Sequence, residues 1–415
     1  MTFLHRYLQN NLQTALEDTP VVCLLGPRQV GKSTLCKQMD SRRYYLTFDD
    51  QTILEAARRD PTGFIQSLPD EVTLDEIQRV PELILAIKAE VDQNRRPGRF
   101  LLTGSANLLL LPRVKESLAG RVEILFLHPL TELEKEENKP CFLNALFTQN
   151  LMAKITGRQQ ELPGIAERVC RGGYPEPNAR TIQRARQWFK QYLHTIIQHD
   201  VKDVANVRAE DELFRLTELL ALRTGNLLNI NSVASDLKIG RETAEKYISI
   251  LEHVFLVYRL PAWHSNDSKR LVKAPKLHMV DSGLAVYLNK LQSTDWHNFA
   301  TNFGPILESF VIQQIRAQAS WYEGSIHLSH YRDKDQVEVD LVIEHGRDVY
   351  GIEIKKAASI QSKDGEGLRR LATRAGKNFK GGVLLYCGNN ALPLGIENCI
   401  AAPIDWLWSE WPLEL

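Results

Sequence analysis

Several things are missing from this chain, and each absence narrows what it can be. No apolar run approaches the ~20 residues that a membrane-spanning helix needs, and the first residues lack the apolar core of a signal peptide. A cytoplasmic protein without a membrane partner is expected. Net charge is also missing: 51 Lys and Arg balance 51 Asp and Glu. That balance excludes a polycation, so any nucleic-acid surface must be a local patch. The six cysteines are scattered and form no C-x-x-C pair, which excludes the commonest zinc and redox arrangements. Several lie in apolar runs and are expected as buried thiols of a reducing compartment. Internal repeats and low-complexity tracts are absent too. What remains is 415 residues, 43% hydrophobic and 25% charged, too long for one core and sized for two to four domains.

The most informative stretch lies near the start. The apolar run Val21–Leu25 reads as a buried strand, and Ser33 to Met39 reads as the first turns of a helix. Between them Gly26, Pro27, Arg28, Gln29, Val30, Gly31, Lys32, Ser33 and Thr34 spell G-x-x-x-x-G-K-[ST], with strand and helix in the order that gives this motif meaning. The glycines let the backbone turn tightly, so that N–H groups and a helix N-terminus face one anion. Lys32 would reach the β- and γ-phosphates of ATP, and the Ser33 hydroxyl would ligate Mg²⁺. A glycine-rich turn that binds nothing would not need the lysine and serine together.

Further strands follow at spacings that leave room for helices between them. Residues 1 to 17 read as an amphipathic helix, and Tyr44–Phe48 as a second strand ending in Asp49 and Asp50, the latter a natural helix cap. A third strand runs from Glu71 to Leu74 into Asp75 and Glu76. An acidic pair at the end of a buried strand is costly without a partner, and Mg²⁺-ATP is such a partner. Asp75 would hold the metal and Glu76 would polarise the attacking water. The strand Arg99–Ser105 ends in hydroxyls; Thr103 or Ser105 would sense the γ-phosphate, or Ser105 would merely cap the next helix. Arg121 precedes a fifth strand, Val122–Leu127, and would stabilise γ-phosphate charge in its own subunit or a neighbour's, with Arg113 a weaker candidate and a surface arginine the plain alternative.

These motifs together resemble an AAA+ ATPase, with Gly26 to Thr34 as Walker A and Leu74 to Glu76 as Walker B. The Leu-Thr-Gly-Ser-Ala strand and the Ala119 to Glu132 segment resemble a prokaryotic subgroup that carries a C-terminal domain of unknown function. The resemblance implies an α/β fold with a doubly wound parallel sheet, ATP and Mg²⁺ as ligands, and possible homo-oligomers.

Beyond the turn-rich Arg171–Pro177 connection, a long helix carries Trp188, Phe189 and Tyr192, with Asp200 and Asp203 read as solvated near its end. Helix, a short helix from Ile230 with Ser232 as cap, a Gly240 turn, the 242–253 helix and two apolar strands then resemble a winged helix. Its loop carries Asp267, Lys269, Arg270 and Lys273. The implied partner is duplex DNA, and a packing module is the alternative. Near the C-terminus Glu308 lies in the first turns of a helix, Asp340 on a strand, and Glu353 and Lys355 on the same face of the partner strand. This E-x-K hairpin resembles the PD-(D/E)xK nucleases, which implies Mg²⁺ or Mn²⁺ on Asp340 and Glu353 and a water positioned by Lys355; a solvated Lys–Glu pair is the alternative. The expected organisation is an ATPase domain over 1–160, a helical and winged-helix domain over 161–295, and a nuclease-like domain over 296–415. The expected activity is ATP hydrolysis coupled to DNA binding, cleavage or remodelling. The competing expectation is a nucleotide-controlled switch or scaffold that recruits DNA or a protein without cutting.

Overall fold

The computed structural model describes residues 4–39, 43–105, 120–148, 164–201, 210–265, 273–298 and 300–409. The fold is α/β, built on three sheets. The first contains β1 (Val21–Leu25), β2 (Tyr44–Thr47), β3 (Val72–Asp75), β4 (Phe100–Gly104) and β5 (Val122–Phe126) in the order β2-β3-β4-β1-β5, all parallel. Strands β1, β3 and β4 are buried along their whole length, which is why β1 reads as an unbroken apolar run rather than an alternating one. The first helix is shorter than expected and spans Leu8–Asp18. The chain ahead of it is drawn away from helical geometry by Arg6, whose guanidinium donates to Val30 O and to Glu134.

The register of the parallel sheet also corrects one expectation. Val122 pairs with Val21, so Arg121 stands at the amino edge of the sheet, whereas the Gly26 loop leaves β1 at the carboxyl edge. Arg121 instead holds Asp92 at 2.5 Å. Within one chain it does not reach a phosphate in the loop. Arg113 lies outside the described residues.

In the middle of the chain, helix Glu210–Leu222 leads through β6 (Asn226–Leu227) to helices Ile230–Leu237 and Arg241–His253, then β7 (Val257–Leu260) and β8 (Lys276–Met279). The three strands form an antiparallel sheet in the order β6-β8-β7. The short helix is capped by Asn229, not Ser232: the Asn229 side chain accepts from the Ser232 N–H at 3.1 Å. Asp203, Asp267, Lys269 and Arg270 lie outside the described residues, while Lys273 donates to Arg332 O at 3.0 Å.

The last sheet follows helix Phe303–Trp321 and holds β9 (Ile326–Arg332), β10 (Glu338–His345), β11 (Asp348–Lys355), β12 (Phe379–Tyr386), β13 (Leu392–Pro393) and β14 (Cys399–Pro403). Strands β9, β10 and β11 form an antiparallel meander; β12 then joins β11 in parallel after helix Glu366–Ala375. The order is β13-β14-β12-β11-β10-β9. One continuous apolar core runs from Leu8 through Tyr192, Leu216 and Phe310 to Trp408, so all three sheets are packed into a single body. Helix Phe303–Trp321 is its axis, touching the first helix, helix Ser282–Leu288 and β11. Burial pushes the Cys23 and Cys36 thiols up to about 12, in keeping with unreactive core cysteines. Among the described residues no helix is long and apolar enough to cross a membrane.

Candidate functional site

The loop after β1 has the backbone its glycines predict. Gly31 has φ +101°, and a Cβ on Gly26 would lie 2.2 Å from Leu127 O. Helix Lys32–Met39 starts directly from the loop, so its N-terminal amides face the same space. Lys32 is 4% exposed and its Nζ donates to Gly26 O at 2.8 Å and Pro27 O at 2.9 Å. Burial lowers its pKa, against the opposing charges of Glu76, Asp75 and Asp200.

The acidic pair at the end of β3 meets this loop. Ser33 Oγ donates to both oxygens of Asp75 at 3.1 Å, and Asp75 also accepts from Tyr45 at 2.5 Å and from Thr103. Burial and the Asp75 bond push the Tyr45 phenol above its ordinary value, so it stays a neutral donor. Glu76 adopts a left-handed backbone, φ +60°, which turns its carboxylate out of the strand direction. There it accepts from Ser105 Oγ at 3.0 Å and from Gln78. Thr103 accepts from the Glu76 N–H at 3.3 Å, so the hydroxyl that holds Asp75 also holds the backbone of Glu76. Lys32, Ser33, Asp75, Glu76, Thr103 and Ser105 are thus brought together from three segments. The Ser33 hydroxyl and the Asp75 carboxylate converge as a hard, oxygen-only pair, which fits Mg²⁺.

Sequence reasoning missed the clamps around the loop. Arg6 is 5% exposed and reaches Val30 O at 2.7 Å, His128 O at 2.5 Å and Glu134 at 2.9 Å. Arg28 pairs with Asp200 at 2.6 Å. Asp200 is 7% exposed rather than solvated, because the helix ending at Thr195 continues as a π-helical turn, Ile196–Asp200, that carries it onto the loop. Arg6, set among the apolar Leu4, Tyr7 and Leu8, was the one local hint.

A second cluster gathers the other predicted residues. Glu308 from helix Phe303–Trp321, Asp340 on β10 and Glu353 on β11 converge, and Lys355 is close enough for its charge to favour the ionised Glu353. Asp340 Oδ2 accepts from Ile354 N at 2.9 Å. A Cβ on Gly367 would lie 1.9 Å from Glu353 Oε1, so only glycine lets helix Glu366–Ala375 approach that carboxyl. The unexpected member is Lys276 at the head of β8, with Nζ 2.9 Å from Glu308 Oε1 and 3.3 Å from Asp340 Oδ1. Burial opposes its charge, but Glu308, Asp340 and Glu338 together hold the ammonium above its ordinary value. Burial and the charge of Asp340 push Glu308 up to about 8, and the same two causes raise Glu353 well above the carboxylate range. In this arrangement the set does not fit a divalent cation: an ammonium stands among the carboxylates, and among the described residues no cluster has metal-holding geometry. The missed signal was the alternation in β8, which puts Lys276 and His278 on one face of an otherwise apolar strand.

Residues 18–135 match the family described as AAA domain, residues 163–295 a Domain of unknown function (DUF8612), and residues 303–407 a Domain of unknown function (DUF4143). An uncharacterised protein of Mycobacterium tuberculosis is 30% identical over 405 residues, spanning 95% of this chain and 82% of that one. The chain belongs to the family of that protein. Another uncharacterised protein, from Haemophilus influenzae, is 24% identical over 332 residues, 69% of this chain and 76% of its own. Among solved structures, the Walker-type ATPase of Pyrococcus abyssi aligns over 68% of this chain and 94% of its own, at 16% identity and a TM-score of 0.40. The first sheet of this family member is that of a P-loop AAA+ ATPase.

Proposed function

We propose that this protein hydrolyses Mg²⁺-ATP at the carboxyl edge of the first sheet and uses the nucleotide state to control DNA contact by its later segments. The convergence of Ser33, Asp75, Glu76 and Ser105 carries the reading. Lys32 and the loop amides bind the β- and γ-phosphates, and Gly26 to Thr34 cradle them. Ser33 and Asp75 would hold Mg²⁺, which when bound would supply charge neutralisation at the phosphates. Glu76, oriented by Ser105 and Gln78, accepts a proton from the attacking water. For DNA, the support is helix Arg241–His253, which exposes Arg241 and Lys246, while Arg259 pairs with Glu245 at 2.8 Å and Glu252 at 3.2 Å, so that the helix is balanced in charge with this partner counted. Exposed Arg241 and Lys246 side chains suit contacts to a phosphate backbone.

Phosphate release should fall by about two orders of magnitude or more in Glu76→Gln, with ATP binding retained. Duplex DNA should stimulate the wild-type rate. A Glu76→Gln protein that turns ATP over like wild type would remove this site from the mechanism, and a rate indifferent to DNA would separate the ATPase from the DNA reading. A second reading, a nucleotide-controlled switch without nuclease activity, is favoured by Lys276 among the C-terminal carboxylates.

A further inference from the structure

Helix Ile182–Thr195 and its π-helical continuation Ile196–Asp200 touch the Gly26 loop twice, at a single residue. Tyr192 is buried and donates from its hydroxyl to Arg28 O at 3.4 Å; the same hydroxyl meets that of Tyr174 at 2.8 Å. Further along, Asp200 pairs with the Arg28 guanidinium at 2.6 Å. The two contacts differ in kind. The Arg28 backbone is held by a neutral bond from the buried side, whereas its side chain is 39% exposed and can swing without disturbing the loop. The charges of Glu76 and Asp49 also act on the guanidinium, so it stands over the carboxyl edge of the first sheet, just beyond β3 and β2. Arg121 is at the opposite edge.

We infer that Asp200 competes with the third phosphate of a bound nucleoside triphosphate for the Arg28 guanidinium, so that this pair from two distant segments sets the preference for ATP over ADP. This rests on the Mg²⁺-ATP reading of the same loop. A carboxylate and a phosphate ask the same thing of an arginine, two oxygens matched to its planar fork. Without nucleotide, Asp200 holds the fork. A diphosphate ends at the loop amides and Lys32 and leaves the Arg28–Asp200 pair in place. A triphosphate adds a further anionic group toward Glu76, and Arg28 exchanges one anion for the other. Breaking the pair therefore weakens binding of the triphosphate and not of the diphosphate. Asp200, left beside the new charge, is repelled by it, and the π-helical turn that carries Asp200 reports which nucleotide is bound.

The test is calorimetric titration of the full-length protein, in Mg²⁺, with ADP and with the non-hydrolysable triphosphate AMP-PNP. Asp200→Asn keeps the shape of the side chain and removes its charge. It is expected to tighten AMP-PNP about fivefold or more and to leave ADP within about twofold of wild type. Most of that gain should vanish when Arg28→Met is added, because the competitor then has nothing to compete for. Arg28→Met alone should lower the preference for AMP-PNP over ADP about tenfold, and Arg28→Lys, which keeps the charge but not the fork, should restore only part of it. Melting temperatures without nucleotide check each fold, and Asp200→Ala replaces the asparagine variant if that is unstable. An AMP-PNP affinity unmoved by Asp200→Asn, or a gain that survives in full with Arg28→Met, overturns the competition. A wild-type protein that binds neither nucleotide overturns the ATP reading and this inference with it. Phosphate release from ATP is read separately: triphosphate preference without release upholds the Arg28–Asp200 exchange and overturns hydrolysis instead.

Discussion

Gly26 and Gly31 look equivalent in the motif, yet their surroundings differ. A methyl group on Gly26 would meet the backbone carbonyl of Leu127 at 2.2 Å, an atom that cannot rotate away. On Gly31 the nearest atom is the guanidinium of Arg6 at 3.9 Å, an ordinary contact distance, and only the positive φ resists. Gly26→Ala is therefore expected to cost about 2–3 kcal/mol of stability and Gly31→Ala about 1–2, ranked by urea denaturation midpoints. An equal loss at both positions would mean that backbone strain, not the Leu127 contact, dominates. At this scale the sequence was most legible where one residue type has one use. Lys32, Ser33, Asp75 and Glu76 could be placed because strand, turn and helix follow one another within a short span. Tyr45 and Gln78 could not, because nothing local marks a phenol or an amide as the neighbour of a carboxylate.

Strands carry their information in alternation, and β8 illustrates both its use and its limit. Lys276 and His278 share a face, but only the partner helix and strands reveal that this face is a carboxylate cluster rather than water. The cluster makes a pH signature. Burial and the charge of Asp340 push the Glu308 carboxyl up to about 8 in the folded protein against an ordinary 4.5. The folded state thus keeps a proton that the unfolded chain releases once pH exceeds 4.5. The associated stability is complete below 4.5, declines as pH rises and is lost once pH passes the folded value. The slope is at most about 1.4 kcal/mol per pH unit for each such group. Glu308→Gln, which cannot ionise, should flatten the fall of unfolding free energy between about pH 5 and 8, measured by urea titration at several pH values. An unchanged slope would show that Glu308 is ionised in the folded protein.

Across the whole molecule a single apolar core is shared by residues of all three sheets. Helix Phe303–Trp321 packs on the first helix and on helix Ser282–Leu288, so one apolar core joins the segments. A single calorimetric transition is expected, moved as one by ATP; two transitions with only one responding to ATP would contradict the shared core. The contacts that tie the segments together are also those that sequence patterns hide. Arg6 and Glu134 are 128 positions apart, Arg28 and Asp200 172, and Lys276 and Asp340 64, whereas periodicity speaks only of a turn or two. The Arg28–Asp200 pair has one more consequence. A π-turn holds a surplus residue relative to an α-turn, and rewinding it would rotate the following chain by roughly 100°. Arg28 has one guanidinium to offer, to Asp200 or to a phosphate. Filling the pocket can thus act like releasing a ratchet, letting the phase of a distant helix be set by what sits in the loop.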